Sequence, residues 1–160
     1  MSSTGLEVFD RTLQTTNIWI DEIADALSVG RHDAWRVLGA VLHALRDRLQ
    51  LGLSAHLAAE LPLLVRGLYF DQWRPSEQNT KLRSLAEFLL HVSDGLTDRK
   101  PIGSIDATCA VFAVLDRHLD PGQAMKVRNA LPEEVRNLWP EPLDAMGLDR
   151  LSRDDLRSPF

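Results

Sequence analysis

The amino-acid sequence predicts an all-α fold made of two similar halves. No stretch shows the period-two alternation of strands, whereas several stretches show the three-and-four spacing of apolar residues that is typical of amphipathic helices. Residues 37–69 also align without a gap on residues 107–139, with ten identities in thirty-three positions and a shared Leu-Pro-x-x-Val-Arg-x-Leu-aromatic ending. Repetition at a constant offset indicates architecture rather than chemistry. We therefore expect a tandem internal repeat of about eight helices.

Length and composition indicate an ordinary globular protein. The chain has 160 residues, about one domain, and its apolar fraction of 44% and charged fraction of 26% are typical of such proteins. We divide it into a single bundle-like helical domain, 1-160, with repeat one at 6-73, a linker at 74-83, repeat two at 84-140 and a polar C-terminal tail at 141-160.

Charge and cysteine content argue against several classes of protein. A net charge of −5 and a pI of about 5.5 disfavour binding to nucleic acid or acidic membranes, because such binding needs clustered Lys and Arg. Cys109, the single cysteine, can form no internal disulfide. The Met-Ser-Ser-Thr-Gly start does not resemble a signal peptide, and no apolar run approaches the roughly 18 residues of a membrane span. We therefore expect a soluble, cytoplasmic protein that does not enter a membrane.

The first two helices are predicted from apolar stripes. Val29-Gly30 ends the first helix, since Gly commonly follows a helix end. Asp33 is the predicted N-cap of the second helix, and Leu51-Gly52 breaks it. The stripe of the first helix contains Phe9, Leu13, Thr16, Ile20, Ile23 and Leu27, and the polar face of the second carries Arg36, His43, Arg46, Asp47 and Arg48.

Two shorter helices complete the first half. Ser54 is predicted to cap a helix that runs through Glu60. Pro62 then opens the fourth helix, Leu63 to about Phe70, because proline lacks an N–H but suits a first helical turn.

The second half follows a polar linker at residues 71–83. Ser84 and Glu87 match a capping box, and at an offset of 69 the helix that follows corresponds to the first helix. A long helix spans residues 104–119, and Asp120 with Pro121 starts the next one. Leu131-Pro132 breaks that helix, Trp139-Pro140 ends the repeat, and the tail adds only Met146, Leu148 and Leu151 as apolar residues that could dock as a short turn.

Several blocks of the chain resemble a known family. FDRTLQTTNIWIDEIA, AWRVLGAVLHALRDRL, HLAAELPLLVRGLYFDQW and FAVLDRHLDPGQ…ALPEEVRNLWP, in this order, are similar to the bacterial family called domain of unknown function 2267. The resemblance covers roughly Phe9 to Pro140. It implies a small helical bacterial protein without an established activity or agreed catalytic residues.

Arg66 and Arg136 are the strongest candidates for binding residues. Both are charged, and both lie in the otherwise apolar Leu-Pro-x-x-Val-Arg-x-Leu-aromatic segment that ends each repeat. In the structural interpretation, each guanidinium holds a carboxylate or helix C-terminal carbonyls within its own half. In the functional interpretation, the two arginines together bind an acidic partner or a phosphate.

Aromatic residues supply the other candidates for partner binding. Trp73 and Arg74 lie where the first repeat passes into the linker, and Trp35 lies next to Arg36, off the main apolar stripe. Such a tryptophan either caps the bundle or anchors a partner. If Trp35 and Trp73 are exposed, we expect a partner there.

No motif predicts catalysis, a metal or a cofactor. The spacings Glu-x-x-His and His-Glu-x-x-His are absent, as are Gly-x-Ser-x-Gly, the Walker loop and Gly-x-Gly-x-x-Gly. The pairs His56/Glu60 and Glu87/His91 each share a helix face but are of a kind that is commonly solvated. Cys109 aligns with Gly39, which suits a small core slot at a helix crossing.

Three hypotheses for function remain open. The first is a non-catalytic interaction or scaffolding module that binds a protein partner or forms a homo-oligomer. The second is a small-ligand binder or enzyme with a pocket between the repeats, lined by both arginines. The third is nucleic-acid binding through a helix-turn-helix at residues 54–70 or a basic face of Lys126, Arg128 and Arg136, which the acidic net charge disfavours.

Overall fold

Eight α-helices and one 3₁₀ turn, Pro75–Glu77, form the part of the chain that the computed structural model describes, residues 3–78, 83–96 and 102–141. No strand occurs in these ranges, so the all-α prediction is confirmed. The helices are α1 (Glu7–Leu27), α2 (Arg31–Arg48), α3 (Leu51–Glu60), α4 (Leu63–Phe70), α5 (Leu85–Asp94), α6 (Ser104–His118), α7 (Pro121–Ala130) and α8 (Glu133–Arg136). The predicted docking of the C-terminal tail lies outside the described residues.

Several helix starts were predicted correctly. Pro62 is the N-cap of α4, immediately before Leu63. The Ser84 hydroxyl accepts a hydrogen bond from the Glu87 N–H at 3.1 Å, and Asp120 accepts one from the Gln123 N–H at 3.3 Å. These caps satisfy N–H groups that have no partner within their own helix.

Other helix boundaries differ from the prediction. α1 ends where Ser28 adopts a left-handed conformation (φ 53°), before Gly30. Gly30 is the N-cap of α2, so Asp33 lies inside the first turn and accepts a hydrogen bond from Arg36 at 3.2 Å. α2 already ends at Arg48, with Leu49 as its C-cap, and Leu51-Gly52 begins α3 instead of breaking α2. Ser54 is therefore no cap; it is buried inside α3.

The core is organised around α2, which packs against both halves of the chain. α1 contacts α2 and α6, and α5 also contacts α2 and α6, so the first helix of each half packs against the long helices of both halves. The apolar face of α2 is fully buried, with Val37, Leu38, Val41, Leu42 and Leu45 excluded from solvent. Burial on this scale, rather than helix propensity, stabilises the bundle.

A close approach joins α5 to α2. A Cβ atom added at Gly95, directly after α5, would lie 2.8 Å from the Cβ of Ala40. Only a residue without a side chain allows this contact, so Gly95 and Ala40 set how near the two helices lie. The internal repeat that the sequence suggests stays a prediction at the level of the fold.

Candidate functional site

Arg66 and Arg136 both bind backbone carbonyls inside their own half. The Arg66 guanidinium donates to the carbonyls of Ala58 (2.8 Å), Ala59 (3.0 Å) and Leu61 (3.1 Å), at the C-terminal end of α3. Helix C-termini leave four carbonyls without an intrahelical partner, which explains why a cation suits this place.

Arg136 makes the corresponding contacts at positions seventy residues further on. Its Nη2 atom donates to the carbonyls of Asn129 (3.2 Å) and Leu131 (3.0 Å), at the end of α7, while its Nε atom is buried without a hydrogen-bond partner. The helix-carbonyl interpretation accounts for these contacts of both arginines. A role of Arg66 or Arg136 in binding a partner stays a prediction.

The sequence prediction placed Arg46 on the polar face of α2, but the structure buries it. Its side chain is 6% exposed, and Nη1 donates to the carbonyls of Tyr69 (2.9 Å) and Asp71 (2.8 Å), at the end of α4. His43, one turn earlier, donates to the carbonyl of Leu68 at 2.8 Å. The polar face of α2 is therefore a docking face for the C-terminus of α4.

Asp47 links this face to the second half of the chain. It accepts hydrogen bonds from Arg46 Nε at 2.9 Å and from His91 Nε2, on α5, at 2.8 Å. Burial opposes ionisation of Asp47, but the hydrogen bonds from His91 and Arg46 outweigh it and hold its pKa below the usual value. The same bond to Asp47 raises the pKa of His91 against the effect of burial. The sequence placed His91 on the same helix face as Glu87, in an arrangement that is commonly solvated; in the structure His91 binds Asp47 across the two halves.

A buried polar cluster continues from Arg46 into α3. Ser54 donates to the Arg46 carbonyl at 3.2 Å and contacts the Tyr69 hydroxyl, which in turn donates to the Ser54 carbonyl at 3.0 Å. Burial raises the pKa of Tyr69 to about 12, so its hydroxyl stays protonated at neutral pH. Every hydroxyl in this cluster has a partner, which is what a buried polar group requires.

The linker closes the same region. The Gln78 side-chain amide donates to the Leu49 carbonyl at 2.6 Å and to the Arg46 carbonyl, so it covers the C-terminus of α2. Trp73 donates its indole N–H to the Gln78 side-chain oxygen at 3.0 Å, and its ring lies 5.2 Å from that of Phe70. Trp73 is half-buried, and its described contacts are those of an aromatic residue that caps the bundle.

Trp35 and Arg74 lie in different surroundings. Trp35 is half-buried and packs against the core near the start of α2, eleven residues before Arg46 and hence about 16 Å away along the helix. Arg74 is exposed beside Trp73. The condition for a partner at the two tryptophans was that both be exposed, and neither is.

A second polar contact between the halves joins α1 to α6. Glu22 forms a salt bridge with Arg117 at 2.9 Å and accepts a hydrogen bond from His118 Nε2 at 3.0 Å. The His118 ring stacks on Trp19, with ring centres 5.6 Å apart. The Trp19 indole N–H and the Thr16 hydroxyl are both buried in α1 without a hydrogen-bond partner.

A surface groove between the halves lies beside this contact. Its volume is about 520 Å³, and neither Arg66 nor Arg136 lines it. Cys109 does line it and is half-buried, so it is not the core cysteine that the sequence predicted. Burial, with the nearby Asp106 carboxylate, raises the pKa of the Cys109 thiol, which disfavours a reactive thiolate. The lining consists of Ala26, Leu27, Asp106, Cys109, Ala110 and Ala113.

Exposed apolar side chains concentrate at another place, where the first turns of α1 meet α4. Thr12, on α1, accepts a hydrogen bond from the Leu64 N–H at 3.0 Å, and this bond joins α1 to the start of α4. Phe9 and Leu13 continue the core-facing stripe of α1, but they are 49% and 40% exposed. Six of the eleven exposed large apolar side chains in the described residues lie here: Leu6, Val8, Phe9, Leu13, Leu63 and Leu64. We call these six residues the α1–α4 patch.

Two further kinds of feature, a metal-binding cluster and a membrane-spanning helix, are absent from the described residues. These residues contain no group of three or more His, Cys, Asp or Glu side chains that could hold a metal ion. In the same ranges, no helix is both long and apolar enough to cross a membrane.

Sequence reasoning missed the polar cluster and the patch. Arg46 and Asp47 follow the buried pair Ala44-Leu45, and this position in the α2 stripe was a signal for burial. The prediction that Phe9 and Leu13 belong to the same stripe as Ile20 and Ile23 was sound as helical geometry, but whether another element covers them depends on tertiary structure.

The comparisons with known proteins identify a family. No curated protein matches the chain. One family model, described as an uncharacterized conserved protein, DUF2267, matches residues 16–138. These residues include every helix from the second half of α1 through α8. The chain therefore belongs to the DUF2267 family.

Proposed function

We propose that this chain is a non-catalytic protein–protein interaction module that binds its partner through the α1–α4 patch. The observation that carries this proposal is the concentration of exposed apolar side chains at one place. The largest exposed apolar patch on a monomer is typically roughly 300–600 Å² and often marks an interaction site. Binding of a partner to such a surface is favourable because it removes apolar area from water.

The contacts of the charged candidate residues support the proposal. The contacts of Arg46, Arg66 and Arg136 go to helix C-terminal carbonyls, and Asp47 binds Arg46 and His91. A pocket for a small charged ligand would instead need such groups to converge on one cavity. Among the residues that the structure describes, the groove between α1 and α6 is lined by two polar side chains, Asp106 and Cys109. We place this module in the cytoplasm, in line with its single cysteine.

The test compares two leucine variants in cells that make the protein naturally. Leu13→Glu puts a charge in the patch, whereas Leu90→Glu puts one on α5, where Leu90 is 63% exposed. After chemical cross-linking in these cells, we expect adducts of the wild type and of Leu90→Glu, and at least a tenfold loss of adduct for Leu13→Glu. Equal yields from the two variants would contradict the proposed function.

A further inference from the structure

We propose that the partner of the α1–α4 patch is a second copy of this chain, and that the two copies form a two-fold dimer. This inference rests on the proposed function, because it names the occupant of the same surface. A two-fold interface brings the same patch of both copies together, so the patch must be complementary to itself.

The charged residues around the α1–α4 patch permit two identical patches to pack against each other. Glu7 and Arg11, on the first turns of α1, pair with each other at 2.7 Å. Asp10 accepts hydrogen bonds from the Thr4 hydroxyl at 2.8 Å and the Thr4 N–H at 3.1 Å. The charges of Glu7 and Arg11 therefore compensate each other, and the carboxylate of Asp10 is hydrogen-bonded within its own chain. A second copy can approach the apolar side chains without leaving Glu7 or Arg11 unpaired, which suits a homodimer interface, whose core is poor in charged residues.

The area is sufficient for a small specific interface. The six residues of the patch are between 40% and 55% exposed, and a fully exposed residue of this size, backbone included, presents roughly 200 Å². The patch therefore offers about 500 Å² on one copy, and two copies together would bury about 1,000 Å², where specific interfaces begin. A contact of this size gives a reversible dimer whose population rises with protein concentration.

The position of the patch also suits a second copy. The corresponding helix of the second half, α5, has 10 residues, whereas α1 has 21 and its additional turns are N-terminal. The patch lies on these additional turns of α1 and on the first turn of α4. A copy docked there adds apolar contacts to a part of α1 that the bundle itself covers only in part.

The first experiment is sedimentation velocity of the purified full-length protein over a wide concentration range. We expect a monomer–dimer equilibrium for the wild type. Leu13→Glu and Leu63→Glu should each weaken dimerisation at least tenfold, and Leu90→Glu should leave it unchanged. Circular dichroism checks that each variant is folded, and two patch variants on different helices protect the test against the misfolding of one. A wild type that stays monomeric, or a dimer that neither patch variant weakens, overturns the inference.

The mass of the adduct formed in cells separates this inference from the proposed function. An adduct of twice 18.0 kDa that depends on Leu13 supports the second copy. An adduct of another mass that depends on Leu13, with a purified protein that stays monomeric, overturns the dimer but leaves the proposed function standing. If cross-linking is independent of Leu13 and the purified protein stays monomeric, both fail.

Discussion

The ends of the two halves use opposite chemistry at corresponding positions. At the end of α4, the Arg46 guanidinium donates to the Tyr69 and Asp71 carbonyls. Seventy residues further on, Asp116 stands where Arg46 stood and accepts a hydrogen bond at 2.9 Å from the indole of Trp139, which replaces Tyr69. The side chain on the long helix is thus a donor in the first half, Arg46, and an acceptor in the second, Asp116. Its aromatic partner accepts through the backbone carbonyl of Tyr69 in the first half and donates through the indole of Trp139 in the second.

The surroundings of the two ends differ in the same sense. Next to Tyr69 lies the buried hydroxyl of Ser54, whereas Ala124 occupies the corresponding position in the second half. Trp139 packs 4.8 Å from Phe112, so this end is held by aromatic contacts. Pro140 also follows Trp139 directly, which stops α8 earlier than α4. Similar helices can therefore be closed by a polar cluster or by an aromatic one.

The largest predicted effect tests this difference directly. Arg46→Met removes a buried cation, so two backbone carbonyls and Asp47 lose the hydrogen bonds that Arg46 donates to them. We therefore expect the free energy of unfolding to fall by about 3 kcal/mol. Asp116→Ala removes one hydrogen bond to Trp139 and should cost about 1 kcal/mol. Urea unfolding followed by circular dichroism measures both values. Equal losses would show that the two ends depend on their polar groups to the same extent.

The two arginines of the repeated ending give the next comparison. Arg66 makes three hydrogen bonds to carbonyls and Arg136 makes two. We therefore expect Arg66→Met to lower the free energy of unfolding by about 2 kcal/mol and Arg136→Met by about 1 kcal/mol. Lysine should rescue neither fully, because it lacks the planar guanidinium that spans several acceptors. A variant of either arginine with unchanged stability would favour a binding role over a structural one.

Two threonines of α1 should respond with opposite sign. Thr16 has a buried hydroxyl without a hydrogen-bond partner, whereas α5 has Leu85 at the corresponding position. Thr16→Val removes the unsatisfied group at nearly constant shape, and we expect a gain of about 1 kcal/mol. Thr12→Val removes the acceptor for the Leu64 N–H and should cost about 1 kcal/mol. Differential scanning calorimetry shows the sign; a destabilised Thr16→Val would mean that its hydroxyl has a partner in solution.

The sequence predicted several helix boundaries correctly because caps and proline breaks act within one helical turn. The caps at Ser84 and Asp120 and the break at Pro62 depend on residues within one turn, so the sequence contains all that is needed to place them. The wrong prediction of Asp33 as N-cap also concerns residues within one turn. Gly30 and Asp33 are both suitable N-caps, and the choice between them depends on where α1 ends.

The candidate site was less predictable because its contacts join distant residues. The bond between Asp47 and His91 spans 44 positions, and that between Glu22 and His118 spans 96. Nothing in the spacing of α2 tells which element covers Arg46, and nothing in α1 tells that Phe9 and Leu13 stay exposed. The sequence did identify Arg66 and Arg136 as a pair, because the repeat placed the same side chain before the same turn.

The smallest predicted effect concerns the proton at the contact between α2 and α5. The pKa of His91 is raised above its ordinary value of 6.5 by Asp47, while Arg46 opposes protonation. A raised folded-state pKa stabilises the fold fully below the unfolded value, and this contribution is lost as the pH rises through the folded value. His43 acts in the opposite sense, because burial lowers its pKa, so the total pH dependence of stability mixes both residues.

His91→Gln isolates the contribution of His91, because glutamine can still donate to Asp47 but carries no titrating proton, and His43 is present in both proteins. We expect the stability advantage of the wild type over His91→Gln to be largest near pH 5.5 and to shrink by about 1 kcal/mol or less by pH 9, since the contact is partly exposed. His56→Gln, on the exposed surface of α3, is the matched control and should follow the wild type. Chemical unfolding at each pH measures the difference. An advantage that stays constant or grows with pH would show that the Asp47–His91 contact does not depend on a protonated histidine, and the two halves would then be joined there by a neutral hydrogen bond.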